Sequence, residues 1–215
     1  MRTGARRPCL GLVRYGAGNT GAVASALEAA GAQVRPVDGP ADLDAGGLDA
    51  LVLPGVGAMA PAVEALRARG LWRPLLERAV ADMPLLGVCL GMQLLFGPSA
   101  EGGAGLGLLP GETVRLEGVR VPHLGWAQVR PAAGAALFAA WPEPAYVYFA
   151  HSYGVAVVDD DLVAARTVAD VRGAGGGIVA AVSRPPLFGV QFHPERSQGA
   201  GMAVLEAFCD AAVAA

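Results

Sequence analysis

The sequence predicts an α/β fold: an open, mostly parallel twisted sheet flanked by helices, with additional antiparallel strands in the C-terminal half. Three observations lead there. Short apolar runs alternate with helix-period patterns through the first half of the chain. Glycine-containing turns separate the two kinds of segment. From about Thr113 the helical pattern gives way to short β-like runs. Strand–helix alternation builds βαβ units and a parallel sheet covered on both faces. The later runs suit hairpins added to that sheet.

Each element has a local reason. Cys9–Val13 is an apolar run, followed by a glycine turn and a helical pattern over Val23, Ala24, Leu27 and Ala30 that Gly31 closes. Gln33–Val37 reads as a second strand and Ala50–Leu53 as a third, ended by Pro54-Gly55. Helices are expected around Ala62–Ala68 and Leu75–Ala81. An apolar strand, a sharp turn and an apolar helix follow across Pro84–Phe96. The β-like runs are Thr113–Leu116, Tyr146–Phe149, Val155–Val158, Leu162–Val168, Ile178–Val182 and Phe188–Val190. Turns divide them, the run Gly173–Gly177 most plainly. Gly201–Val213 closes the chain as a helix turning Met202, Leu205 and Phe208 inward. Gly97–Gly105 is the expected mobile loop. No repeat or linker interrupts the pattern, so residues 1–215 read as a single domain.

Composition narrows the class. At 215 residues and 53% hydrophobic, the chain can bury a substantial core. A net charge of −3 offers no long-range attraction to nucleic acid or an anionic membrane. Every one of the 16 basic residues is arginine. Three scattered cysteines without a C-x-x-C fit a reducing compartment, and the N-terminal apolar run is too short for a signal core or a membrane span. A cytoplasmic protein without a membrane partner is expected.

The chemistry centres on Cys89. Gly87-Val88-Cys89-Leu90-Gly91 is a G-x-C-x-G turn between strand and helix, the thiol counterpart of the G-x-S-x-G nucleophile elbow. Such a turn holds its nucleophile in a strained backbone conformation that only small neighbours permit. The helix N-terminus after it favours a thiolate. Far along the chain, Phe192-His193-Pro194-Glu195 supplies a base and a carboxylate. Proline pushes the residue before it into extended geometry, so His193 and Glu195 point the same way. A carboxylate beside the imidazole sets its tautomer and leaves the other nitrogen for a thiol. Nucleophile, base and orienting acid make a Cys89-His193-Glu195 hydrolytic triad the expectation.

Two other motifs offer alternative readings. Gly16-Ala17-Gly18-Asn19-Thr20-Gly21 matches G-x-G-x-x-G between a strand and a helix, and Asp38 ends the next strand, as in a dinucleotide-binding fingerprint. The blander account is a tight turn capped by Asn19 or Thr20. A dinucleotide site leaves the triad residues without a purpose. His123, His151 and His193 are far apart in sequence, with no H-E-x-x-H helix, so no metal is expected.

Elbow and triad together resemble the class I, triad-type glutamine amidotransferases. Further segments resemble one subfamily, the glutaminase subunits of imidazole glycerol phosphate synthase in histidine biosynthesis. These are Tyr15–Asn19, Leu53-Pro54-Gly55-Val56-Gly57-Ala58, Gly105–Gly111, Val121-Pro122-His123-Leu124-Gly125-Trp126 and Tyr148–Tyr153. Arg14, Ala127 and Arg196 depart from it, standing where an acidic residue, a polar residue and a lysine are usual.

The resemblance implies a flavodoxin-like sheet and hydrolysis of glutamine through a Cys89 thioester, with no cofactor. Elbow geometry makes the backbone N–H of Leu90 one oxyanion donor. The second is expected from Gly55-Val56-Gly57, at the Val56 peptide, which the resemblance suggests is misoriented until substrate and partner bind. Gln93, one helical turn past Cys89, faces the substrate, and Ser152 and Tyr153 offer backbone contacts to its α-carboxylate and amino groups. The implied partner is a (β/α)8-barrel cyclase subunit that consumes the ammonia. Trp126 is the expected interface anchor by residue type, with Asn19, Pro122, His123 and Arg196 as further candidates.

Overall fold

A computed structural model describes residues 6–117, 120–157, 159–168 and 177–214. The first half follows the expected alternation: β1 (Cys9–Val13), α1 (Thr20–Ala29), β2 (Gln33–Val37), α2 (Pro40–Asp44), β3 (Ala50–Gly55), α3 (Met59–Ala68), α4 (Trp72–Val80), β4 (Leu85–Cys89) and α5 (Leu90–Gln93). Then come β5 (Gly111–Arg115), β6 (His123–Pro131), β7 (Ala145–His151), β8 (Tyr153–Val157), β9 (Val163–Thr167), β10 (Val179–Arg184), β11 (Leu187–Val190) and α6 (Gln198–Ala214).

Nine strands form one sheet in the order β2-β1-β3-β4-β11-β10-β9-β6-β7, while β5 and β8 pair separately. β2, β1, β3, β4 and β11 run parallel, and β10, β9, β6 and β7 continue antiparallel. Period-2 alternation sends side chains to opposite faces. Leu10, Leu12, Val52, Leu86 and Val88 pack with Val23 and Leu27 of α1 and with Val204, Leu205 and Phe208 of α6. Val13, Leu51, Leu53 and Leu85 pack on the other face with Leu66 of α3 and Leu75 of α4. Helices therefore cover both sides of a central sheet.

Four details depart from expectation. β3 continues through Pro54 and Gly55, pairing with Val88 and Cys89 of β4 beyond the point where its ladder to β1 ends. α5 is a single turn rather than a helix reaching Phe96, because the carbonyls of Leu94, Leu95 and Phe96 accept bonds from residues 106–109 instead of continuing a helix. A nine-residue strand, β6, was not anticipated; Gly125 and Pro131 and its alternating exposure mask it. Gly97–Gly105 is tied down: Gly105 N–H donates to Gly97 O at 2.8 Å and Ala100 N–H to Thr113 O at 2.8 Å. Most of the run Gly173–Gly177 lies outside the described residues.

Candidate active site

Cys89 ends β4 at the carboxyl edge of the parallel strands, between β3 and β11, where open α/β sheets place their sites. Its backbone is strained, at φ 55 and ψ −110. Both flanking glycines are obligatory. A Cβ on Gly91 would lie 1.7 Å from the Leu53 carbonyl oxygen, and one on Gly87 2.5 Å from that of Gly91. The chain can turn this sharply under β3 only without those side chains.

β11 runs beside β4 and delivers His193 to the sulfur. His193 hydrogen-bonds Cys89, and its Nδ1 lies 2.8 Å from Glu195 Oε1. His193 is extended as expected, but Glu195 lies in a 3₁₀ turn over Pro194–Arg196 rather than in extended chain, and the turn brings its carboxylate to the Nδ1 edge of the ring. Cys89 and His193 are 5% and 8% exposed. Burial disfavours a charge on His193. Hydrogen bonds to Cys89 and Glu195, with the charges of both, outweigh it and raise the imidazole pKa to about 10. The arrangement favours a protonated His193 between the Cys89 sulfur and the Glu195 carboxylate.

Two contacts position the base. His193 N–H donates to Tyr148 O at 2.9 Å. The buried Ser197 hydroxyl donates to His193 O at 2.6 Å and accepts from Tyr148 N–H at 3.0 Å. Ser197 escaped the sequence reading because a serine after H-P-E carries no distinguishing signal.

Gly55 lies opposite Cys89 in the β3–β4 register, with Val56 exposed and Gly57 at φ +91 beside it. Leu90 opens α5. The register thus brings the Gly55-Val56-Gly57 segment beside Leu90 and Cys89. Tyr15 packs beneath them: a Cβ on Gly55 would meet the Tyr15 hydroxyl at 2.5 Å. Burial, then the Cys89 charge, pushes that hydroxyl well above its ordinary pKa. Glu101 was missed as well; its carboxylate accepts from Met59 N–H at 2.8 Å, anchoring the chain just after Gly57.

Gln93 is buried, and its amide nitrogen donates to Tyr153 O at 2.9 Å and Gln191 Oε1 at 3.0 Å. Only its carbonyl oxygen remains to face a substrate. The Ser152 and Tyr153 carbonyls are also committed, to Leu116 N–H and to Gln93 and His151. Tyr153 O has both lone pairs used, while Ser152 O keeps one for a substrate donor.

His123 and His151, distant in sequence, meet with Nδ1 and Nε2 3.1 Å apart. Among the described residues no three His, Cys, Asp or Glu side chains gather as a metal site. The G-x-G-x-x-G segment is a turn in which Asn19 Oδ1 caps α1 at Ala22 N–H, and Arg14 binds Asp38. That ion pair holds the Asp38 carboxyl below its ordinary range and occupies the acid that a ribose would need.

Trp126 is 48% exposed on β6, edge-on to Tyr148 of β7, and the Arg196 guanidinium stacks 3.8 Å over the Tyr148 ring. Leu124 and Tyr146 extend this exposed face and Pro122 precedes it, whereas His123 turns its ring to the opposite face of β6, against Phe149 and His151. Asn19 is exposed too, after β1, near the other end of the strand order.

Residues 12–212 match the family glutamine amidotransferase class-I. The chain is 43% identical over 202 residues to the imidazole glycerol phosphate synthase subunit HisH of Moorella thermoacetica, covering 93% of each chain. It is 41% identical to that subunit of Synechococcus sp., covering 94% of this chain and 93% of the relative. Among solved structures, that of PurLQS from Thermotoga maritima superposes with a TM-score of 0.76 at 24% identity, covering 95% of this chain and 99% of the other. That likeness concerns the fold.

Proposed function

Given that this chain belongs to the class-I glutamine amidotransferases, and within them to the HisH subunits of imidazole glycerol phosphate synthase, we propose that it hydrolyses glutamine at Cys89 and passes the ammonia to a (β/α)8-barrel cyclase subunit. The observation that carries the reading is the buried chain from Cys89 through His193 to Glu195, 2.8 Å at its second link.

The chemistry follows from that chain. The Cys89 thiolate attacks the side-chain amide carbon of glutamine, and the carbonyl electrons move onto oxygen. Leu90 N–H and Val56 N–H receive that oxyanion; losing one such donor costs about 3–4 kcal/mol of transition-state stabilisation. His193 gives its Nε2 proton to the amide nitrogen as the C–N bond breaks, releasing ammonia and leaving a thioester. Neutral His193 then takes a proton from water, which attacks the thioester and frees glutamate. Glu195 keeps Nδ1 protonated throughout. The Gln93 carbonyl oxygen accepts from the substrate amino group.

The exposed Leu124, Trp126, Tyr146 and Arg196 face supports partner docking, being aromatic, partly apolar and topped by an arginine. Glutamate release by the purified chain, with and without the cyclase subunit and its nucleotide substrate, tests the reading. Weak release alone and strong release in the complex are expected, with none from Cys89→Ala. Residual turnover in Cys89→Ala would refute the mechanism; equal turnover with and without the partner would refute only the activation.

A further inference from the structure

The short α5 raises the question of what else favours a thiolate at Cys89. A longer helix would direct its dipole at the sulfur, but this one ends at Gln93 after a single turn. Gln191 lies on the other side. It is fully buried, its backbone N–H donates to Ala180 O at 2.9 Å, and its side-chain Nε2 lies 3.6 Å from Cys89 Sγ.

The orientation of that amide follows from a backbone atom. Tyr153 O can only accept, so the Gln93 group facing it at 2.9 Å is the NH2. The same NH2 faces Gln191 at 3.0 Å, so the Gln191 atom there is its acceptor, Oε1. Gln191 Nε2 is therefore turned to the sulfur, and a flipped amide would set two donors against each other. Among the described residues, Sγ is the only acceptor that Gln191 Nε2 reaches.

We propose that Gln191 is a hydrogen-bond donor to the Cys89 thiolate, held in register by Gln93 and the Tyr153 carbonyl. The inference rests on the reading of Cys89 as nucleophile. An N–H directed at sulfur binds the anion more strongly than the thiol, since charge-assisted bonds are roughly twice as strong as neutral ones. His193 supplies the opposite charge, and Gln191 supplies a neutral donor that takes no part in proton transfer. The titratable groups around the sulfur are His193 with Glu195 behind it, Tyr15 after β1, and His151 of β7 beyond His193.

The test is the rate of iodoacetamide alkylation against pH, read by mass spectrometry on the Cys89 peptide of the full chain. Gln191→Met keeps the length and removes the donor; Gln191→Glu puts an acceptor against the sulfur. The midpoint of the profile should move up by about one pH unit in the first, and further in the second. An unchanged midpoint in a folded Gln191→Met protein overturns the proposal. If that variant does not fold, Gln93→Met decides: freeing the Gln191 amide must shift the midpoint the same way, and no shift overturns it. A wild-type Cys89 unreactive at every pH up to that of an ordinary cysteine would instead defeat the nucleophile reading.

Discussion

His193 and His151 start from the same side chain and end with opposite charge preferences. Both are buried, but His193 has a carboxylate and the Cys89 sulfur for partners, whereas His151 has a carbonyl and another imidazole. Burial is the largest influence on His151; the positive charges of His123 and His193 add to it, the hydrogen bond to Tyr153 O opposes it, and the pKa falls to about 4. A neutral His151 must carry its proton on Nδ1, 2.7 Å from Tyr153 O, which makes its Nε2 the acceptor of a proton from His123 Nδ1. Because the folded value lies below the ordinary 6.5, the unfolded chain binds the extra proton first. The stability this contributes is therefore complete above pH 6.5 and lost as pH falls through about 4. Urea unfolding of wild type and His151→Gln across that range should show their difference shrinking by on the order of 2–3 kcal/mol on acidification. A difference independent of pH would contradict a neutral buried His151.

The elbow between β4 and α5 is where sequence motif and backbone geometry correspond most directly. G-x-C-x-G was legible because each glycine has a steric cause: one Cβ would collide with Leu53 O and the other with Gly91 O. Backbone atoms cannot give way as a flexible side chain would. Gly91→Ala should therefore cost about 3 kcal/mol or more and lower the melting temperature by about 10 °C, with Cys89 displaced and glutaminase activity lost. An alanine variant that melts with wild type and stays active would show that β3 yields. The length of α5 was not legible, since Leu94 and Leu95 are good helix formers and the apolar run continues to Phe96. Their carbonyls bond residues 106–109, and no local propensity reports a bond of that range. β6 was hidden because Gly125 and Pro131 break its local strand pattern, and its pairing with β7 and β9 supplies the strand instead.

At the scale of the whole molecule, the proposed chemistry and the proposed docking face occupy different parts of one sheet. Parallel strands carry Cys89 and His193 at their carboxyl ends, and the antiparallel extension ends in the β6–β7 hairpin with its exposed aromatic face. The two regions meet through Tyr148, whose backbone holds His193 while its ring carries Arg196. Trp126 stands on that face at 48% exposure, so truncation removes contact area without opening the core. Trp126→Ala should leave the melting temperature within a few degrees of wild type and weaken cyclase binding about 30-fold, measured by calorimetry. Undiminished affinity would place the docking surface elsewhere.

Residue order alone indicated the α/β class, the strained turn and the three residues proposed as a triad. Each depends on short-range sterics or on residue types that few other functions need. Convergence of the long-range contacts decided the rest: the single-turn α5, the 3₁₀ turn behind His193, the Gln93–Gln191 amides at the sulfur and the His123–His151 pair. Those features are hydrogen bonds between segments that become neighbours only when strands from distant parts of the chain share a sheet. Their partners cannot be read from local pattern, because burial is what obliges each polar group to find one.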